Sequence, residues 1–257
     1  MEALVMDDNN LTGRISAFLG NISSLRQISG AKSNFQGRVP DTLRLLTYLQ
    51  FLELYMNKLF GTLPLSIFNV TSLKMIDIPL NQIKGRLPSD MGLTLPRLRW
   101  FNVGVNKFTG PNSVTLSNAL QLTRLGLTLN GFTGKQNQIY GNIPSEIGML
   151  ANLEVFGLGL NRFTGSIPDS TGNLQKLRLM SFRGTKLSGY IPSSLGNITL
   201  LIELYLNETI SRVAYHLASG IAKNFLVLDL SGNNLNGNTP KEIFGLSSLS
   251  SIWKQPY

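Results

Sequence analysis

The chain repeats itself every 24 residues, and that period leaves few folds open to it. A recurring Asn-x-Leu-x-Gly element reads N-K-L-F-G from Asn57, N-Q-I-K-G from Asn81, N-K-F-T-G from Asn106, N-R-F-T-G from Asn161 and N-N-L-N-G from Asn233. With their weaker relatives, these elements begin at Asn9, Ser33, Asn57, Asn81, Asn106, Asn130, Asn137, Asn161, Thr185, Thr209 and Asn233. Every step is 24 except one of 25 and one of 7. Such self-similarity predicts a solenoid with one supersecondary unit per repeat.

Upstream of each element lies L-x-x-L-x-L, as at Leu49, Leu52 and Leu54. Its alternation of apolar and variable residues is that of a short strand with one buried face. Strands that recur in one direction pair in parallel, which predicts a single long sheet. An asparagine amide has two donors and one acceptor, enough to satisfy backbone groups where the chain turns out of the sheet. This assigns a structural ladder to Asn9, Asn57, Asn81, Asn106, Asn130, Asn161 and Asn233. Ser33, Thr185 and Thr209 offer only a hydroxyl, so their rungs should be weaker, each unpaired buried group costing roughly 1–3 kcal/mol. The glycine of the element suits a positive φ or a close approach. The Ile-Pro that follows, as at Ile143-Pro144, Ile167-Pro168 and Ile191-Pro192, removes a donor and ends strand pairing.

The sequence reads as one array over residues 1–257, of about ten 24-residue repeats, irregular at 111–140 and 209–224. Pro111-Asn112-Ser113 lacks the Ile-Pro, and a second N-Q-I-Y-G follows only seven residues after Asn130, so a sheet defect is expected near 130–140. Residues 209–224 keep their length but lose the consensus, which predicts a helical or irregular turn at 211–222. The chain begins close to its first strand, Leu4 to Met6, and stops where the next ladder asparagine would come, as an excerpt truncated at both ends would. Exposed end coils, with Leu4, Phe18, Leu249 and Trp253, then predict poor solubility.

The net charge of +9 is spread over many repeats, and no nucleic-acid-binding module is recognisable. An acidic polysaccharide stays open as a partner. The first residues lack the form of a signal peptide, and no run of eighteen apolar residues occurs. His216 is the one histidine and there is no cysteine, so neither a metal site nor a nucleophile–base pair is indicated. Kinase motifs are absent from the sequence. Glu53 and Asp77 are expected as neighbours on an open surface, which suits no enzyme cleft. No catalysis, cofactor or metal is expected.

The string N-Q-I-Y-G-N-I-P-S-E-I-G-M-L from Asn137 to Leu150 resembles the plant-specific class of leucine-rich repeat. In particular it is similar to ectodomains of plant receptor kinases of the immune-receptor type, the group of the rice bacterial-blight resistance receptor. That resemblance implies an α/β solenoid: a right-handed superhelix with a concave parallel sheet, a second short strand in each coil and 3-10 turns on the convex side. It also implies an extracellular parent at the plasma membrane with N-linked glycans. Ligands would be peptides, proteins or glycoconjugates, met together with a co-receptor kinase in defence or development. Any membrane contact would come through parts of a parent receptor outside this chain. Two other readings stay open: a secreted inhibitor of wall-degrading enzymes that binds protein or pectin, and a truncated product without function.

Packing accounts for every repeated position, so function is sought at the variable residues of the strands. Candidate ligand contacts on the concave face are Phe51, Glu53, Tyr55, Asp77, Trp100, Asn102, Arg124, Ser181, Arg183 and Tyr205. Five Asn-x-Ser/Thr sequons occur, at Asn10, Asn21, Asn69, Asn197 and Asn207. Asn21, Asn69 and Asn197 share one phase at the outer turn. The phase of Asn207 puts it on the concave face, where a sugar would restrict binding to the first five or six coils.

Overall fold

In each coil a three-residue strand points its middle side chain inward and its two neighbours outward, which is how L-x-x-L-x-L becomes one rung of a sheet. In the computed structural model, which describes residues 1–111, 116, 118–133, 141–209, 225–233 and 251–253, eleven such rungs pair in parallel and in chain order. They run from Ala3–Val5 through Gln27–Ser29, Phe51–Glu53, Met75–Asp77, Trp100–Asn102, Arg124–Gly126, Val155–Gly157, Leu179–Ser181, Glu203–Tyr205 and Val227–Asp229 to Ser251–Trp253. Ile28, Leu52, Ile76, Phe101, Leu125, Phe156, Met180, Leu204 and Leu228 fill the interior behind this sheet. Phe156 and Phe182 meet edge to face with ring centroids 5.1 Å apart.

Past the ladder positions from Asn9 to Asn130, and past Asn161 and Thr185, a second short strand forms. Six of these, from Thr12–Arg14 to Gly131–Thr133, make a second parallel sheet, and Thr164–Gly165 with Lys186–Leu187 make a separate pair. Proline then stops the pairing and starts a 3-10 helix, as Pro64 does before Leu65–Asn69 and Pro168 before Asp169–Asn173.

The asparagine ladder is built as its chemistry requires. Asn81 Nδ2 donates to Ile78 O at 3.2 Å and Pro79 O at 3.2 Å in its own coil and to Leu54 O at 2.9 Å in the preceding one, while its Oδ1 accepts from Leu59 N at 3.0 Å. Asn57, Asn106, Asn130 and Asn161 repeat the pattern. Asn9, in the first coil, bonds only to Met6 O and Asp7 O. The hydroxyl rungs are poorer. Ser33 makes long bonds of 3.3 and 3.4 Å, and Thr185 donates to Phe182 O within its own coil.

The 25-residue step from Asn81 to Asn106 is absorbed on the outer side. There Met91–Thr94 forms a turn of α-helix where neighbouring coils use 3-10, with Leu95 N donating to Met91 O at 3.1 Å. A longer hydrogen-bonded ring takes in one more residue.

The expected sheet defect near 130–140 is corrected by the structure. Arg124 pairs directly with Val155, so that coil is 31 residues long, seven more than its neighbours, and the long sheet crosses it unbroken. Asn161 takes the rung after Asn130, accepting from Phe132 N at 3.1 Å. In the second sheet the last described strand is Gly131–Thr133. Asn137, His216, Leu249 and the turn expected at 211–222 lie outside the described residues, as does the Trp253 side chain. Phe18 is 79% exposed, as expected, whereas Leu4 is partly buried.

Candidate functional site

Strand pairing places the outward residues in columns. Phe51, Met75 and Trp100 stand side by side in the first, and Arg124 follows them. Its guanidinium lies 4.4 Å from the Trp100 ring centroid, a cation–π contact that holds the indole in place. The second column is Ser29, Glu53, Asp77, Asn102 and Gly126. Gln27 Nε2 donates to Glu53 Oε1 at 3.2 Å, and Asn102 Nδ2 donates to Asp77 Oδ1 at 3.0 Å. Tyr55 lies beyond the strand end, half-buried, beside Pro79.

Glu53 and Asp77 are direct register partners, as expected, and both carboxyls are harder to ionise than usual. Burial is the main cause for each. For Glu53 the bond from Gln27 offsets part of the rise and the Asp7 charge adds to it. For Asp77 the bond from Asn102 and the nearness of the Trp100 indole offset part of it, and the Glu53 charge adds. The Trp100 indole N–H is buried and closes no hydrogen bond of full geometry, yet it lies near enough to Asp77 to favour the carboxylate. Asp7 joins this group unexpectedly. It accepts from Ser29 Oγ at 2.7 Å and Ala31 N at 2.7 Å. The repeat phase puts Asp7 in the same column as Tyr55, a signal available in the sequence.

The other candidates stand apart. Ser181 pairs with Tyr205, whose hydroxyl donates to Glu203 Oε2 at 3.0 Å. Arg183 meets Glu208 Oε1 at 3.5 Å. Three strand steps of about 4.8 Å each separate the Trp100 strand from the Ser181 strand. Between the two groups the face is lined by Gly104, Gly126, Gly157 and Gly159. A Cβ on Gly126 would fall 2.5 Å from Asn102 Oδ1, and one on Gly159 2.9 Å from Arg183 O. The candidates therefore form one cluster at Phe51–Arg124 and a second at Ser181–Tyr205, joined by a bare strip.

Asn21, Asn69 and Asn197 are each the last residue of a 3-10 helix and exposed, and Asn10 is exposed too. Asn207 differs. It is only 4% exposed, and in the amide orientation that satisfies both atoms its oxygen accepts from Arg183 Nε at 3.2 Å while its nitrogen donates to Asp229 Oδ2 at 3.3 Å. Phase gave its side of the coil correctly but not its depth. In this packing the amide nitrogen that a glycan needs is already engaged. Among the described residues no cluster of His, Cys, Asp or Glu could hold a metal, and no helix is long and apolar enough to cross a membrane.

Parallel strands in strict phase, an asparagine rung in the turn and a 3-10 helix opposite decide the architecture. The fold is a leucine-rich-repeat solenoid. A profile of the Leucine Rich Repeat family matches residues 224–246. No curated protein matches the chain. Among solved structures, the repeat array is similar to PEPR1 in the PEPR1–AtPEP1 structure, with 30% identity, a TM-score of 0.81 and 98% of this chain covered against 34% of that one. It is similar to the leucine-rich-repeat ectodomain of the Arabidopsis receptor kinase HAESA in complex with an extended IDA peptide hormone, with 26% identity, a TM-score of 0.77 and coverage of 97% and 46%. The plant peptide hormone receptor RGFR1 in complex with RGF2 gives 25% identity, a TM-score of 0.72 and coverage of 98% and 47%. The chain thus spans about a third to a half of the length of these structural neighbours.

Proposed function

We propose that the chain is a non-catalytic recognition segment of a plant cell-surface receptor kinase ectodomain, and that a peptide or protein ligand docks on its concave face. The observation that carries this reading is the half-buried cluster of Phe51, Met75 and Trp100 set directly beside Glu53, Asp77 and Asn102. Aromatic side chains held in place on an open surface are suited to act as binding anchors. The adjacent carboxylates favour a ligand with a cationic or hydrogen-bond-donating group next to an apolar one. Ionising Asp77 is costly while it is alone, so a cation that pairs with it recovers part of that cost. Next to this cluster the glycine strip lets a ligand main chain come close to the sheet.

The peptide complexes named for HAESA and RGFR1 support the same reading by analogy. A role in defence, as the repeat string at 137–150 suggests, is the finer part of the proposal, together with an extracellular parent, a co-receptor kinase and glycans at Asn10, Asn21, Asn69 and Asn197. A ligand selected from a synthetic peptide library is expected to lose about thirtyfold in affinity on Phe51→Ala with Trp100→Ala, since truncating such anchors typically costs more than about 1 kcal/mol each. Unchanged affinity would remove the concave face from the site.

A further inference from the structure

Each coil turns up into the long sheet along one flank, and the side chains there take no part in the concave face. The residues just before successive strands are Arg26, Gln50, Lys74, Arg99 and Thr123. Backbone bonds fix them as a ladder: Lys74 N donates to Gln50 O, Arg99 N to Lys74 O and Thr123 N to Arg99 O, each at 2.8 Å. Beside this ladder opens a cleft of about 410 Å³ lined by Lys74, Pro96, Arg97, Arg99 and Gln121.

Three cations therefore share one cleft, and the coil segments that line it supply no carboxylate. Segments 46–50, 70–74, 95–99 and 119–123 contain no aspartate or glutamate. The ion pairs among the described residues engage Arg26, Lys32, Arg44 and Arg183, and none of these three. Converging like charges destabilise a fold slightly, and packing gives no reason for them here, since Arg97 and Arg99 are exposed.

We propose that this cleft binds an acidic polysaccharide whose sugars carry carboxylates, at a site separate from the concave face and independent of the peptide-binding reading. Cations on adjacent coils repeat at the sheet spacing of about 4.8 Å, which suits a stiff chain with one charge on every unit. The guanidinium fork accepts a carboxylate through two parallel hydrogen bonds. An acidic peptide would need apolar anchor pockets as well, and the lining offers only Pro96.

The test is binding of polygalacturonate oligomers to the full chain, measured by calorimetry at two salt concentrations. Affinity should fall with salt, as expected for exposed charges. Lys74→Ala with Arg97→Ala and Arg99→Ala should weaken binding about tenfold or more through loss of charge-assisted bonds. A charge-matched triple on the second sheet, Lys58→Ala with Lys84→Ala and Lys107→Ala, should change it by less than about twofold. Unchanged thermal melts of both triples exclude misfolding as the cause. Equal losses in the two triples would mean that net charge alone binds and would overturn the site, as would no binding at all. Tighter binding of polyglutamate or dextran sulfate through the same three residues would overturn its assignment to carboxylated sugars.

Discussion

The coils from Asn57 to Asn161 and the two that follow, at Thr185 and Thr209, share one plan but differ in polar bonding between coils. In the first group each amide spans the joint, giving to a carbonyl of the coil before and taking from an amide of the same coil. Thr185 bonds within its own coil, and Thr209, with one proton, is shared between Leu206 O and Asn233 Oδ1. The face changes along the array as well: aromatic and acidic up to Trp100, bare at the glycines, then a network of Arg183, Asn207, Glu208 and Asp229 whose charges are mostly spent on one another. In a linear array, stability is a sum of neighbour terms, so the comparison locates the weak joints around Thr185 and Thr209 and places the less self-satisfied surface on the firmer half.

The severest way to break the comparison is to remove one central rung. Asn81→Leu should cost about 3 kcal/mol or more, because several buried backbone groups lose partners at once. Thr185→Val should cost about 1 kcal/mol, for a single bond. Equal losses in urea titrations would show that the rungs are equivalent. Conversely, Thr185→Asn should recover about 1 kcal/mol by restoring the amide bridge, with slower amide exchange from Phe182 to Leu187 as the local readout.

The carboxylates of the first half give a pH signature. Asp77 and Glu53 have folded pKa values raised above their unfolded ones, so the folded state binds protons more tightly. Stability should rise as pH falls from neutral through those raised values and level off below the ordinary carboxylate range. Asp77→Asn should raise the melting temperature at neutral pH and flatten that rise; an unchanged profile would refute the burial account of Asp77.

The smallest effect concerns backbone handedness. Val105 holds φ at 51° just before its rung, where Gly184 holds 62° before Thr185. Val105→Gly should gain about 0.5 kcal/mol, relief of left-handed strain exceeding the added chain entropy.

The period alone was enough to read the parallel sheet, the amide rungs and the glycines of positive φ such as Gly61. Three features escaped it for physical reasons. Met56, Leu80, Val105, Leu129 and Leu160 adopt left-handed backbone because bonds to adjacent coils impose it, and their own types favour nothing of the kind. Asn207 escaped because phase tells which way a side chain leaves the strand and not what closes over it. The passage from Arg124 to Val155 escaped because residue spacing measures chain length, whereas the sheet registers only strands. Among the site residues, the columns of Phe51 and Glu53 were legible, but the separation of Ser181, Arg183 and Tyr205 from them depends on glycines whose effect comes from having no side chain.

That 31-residue coil carries a practical consequence for anyone wishing to splice the molecule. The seven additional residues between Arg124 and Val155 leave those two strands paired in phase, so a loop or tag grafted between successive strands should be tolerated. One residue added between Leu122 and Leu127 would instead turn the strand over and present its leucine to solvent.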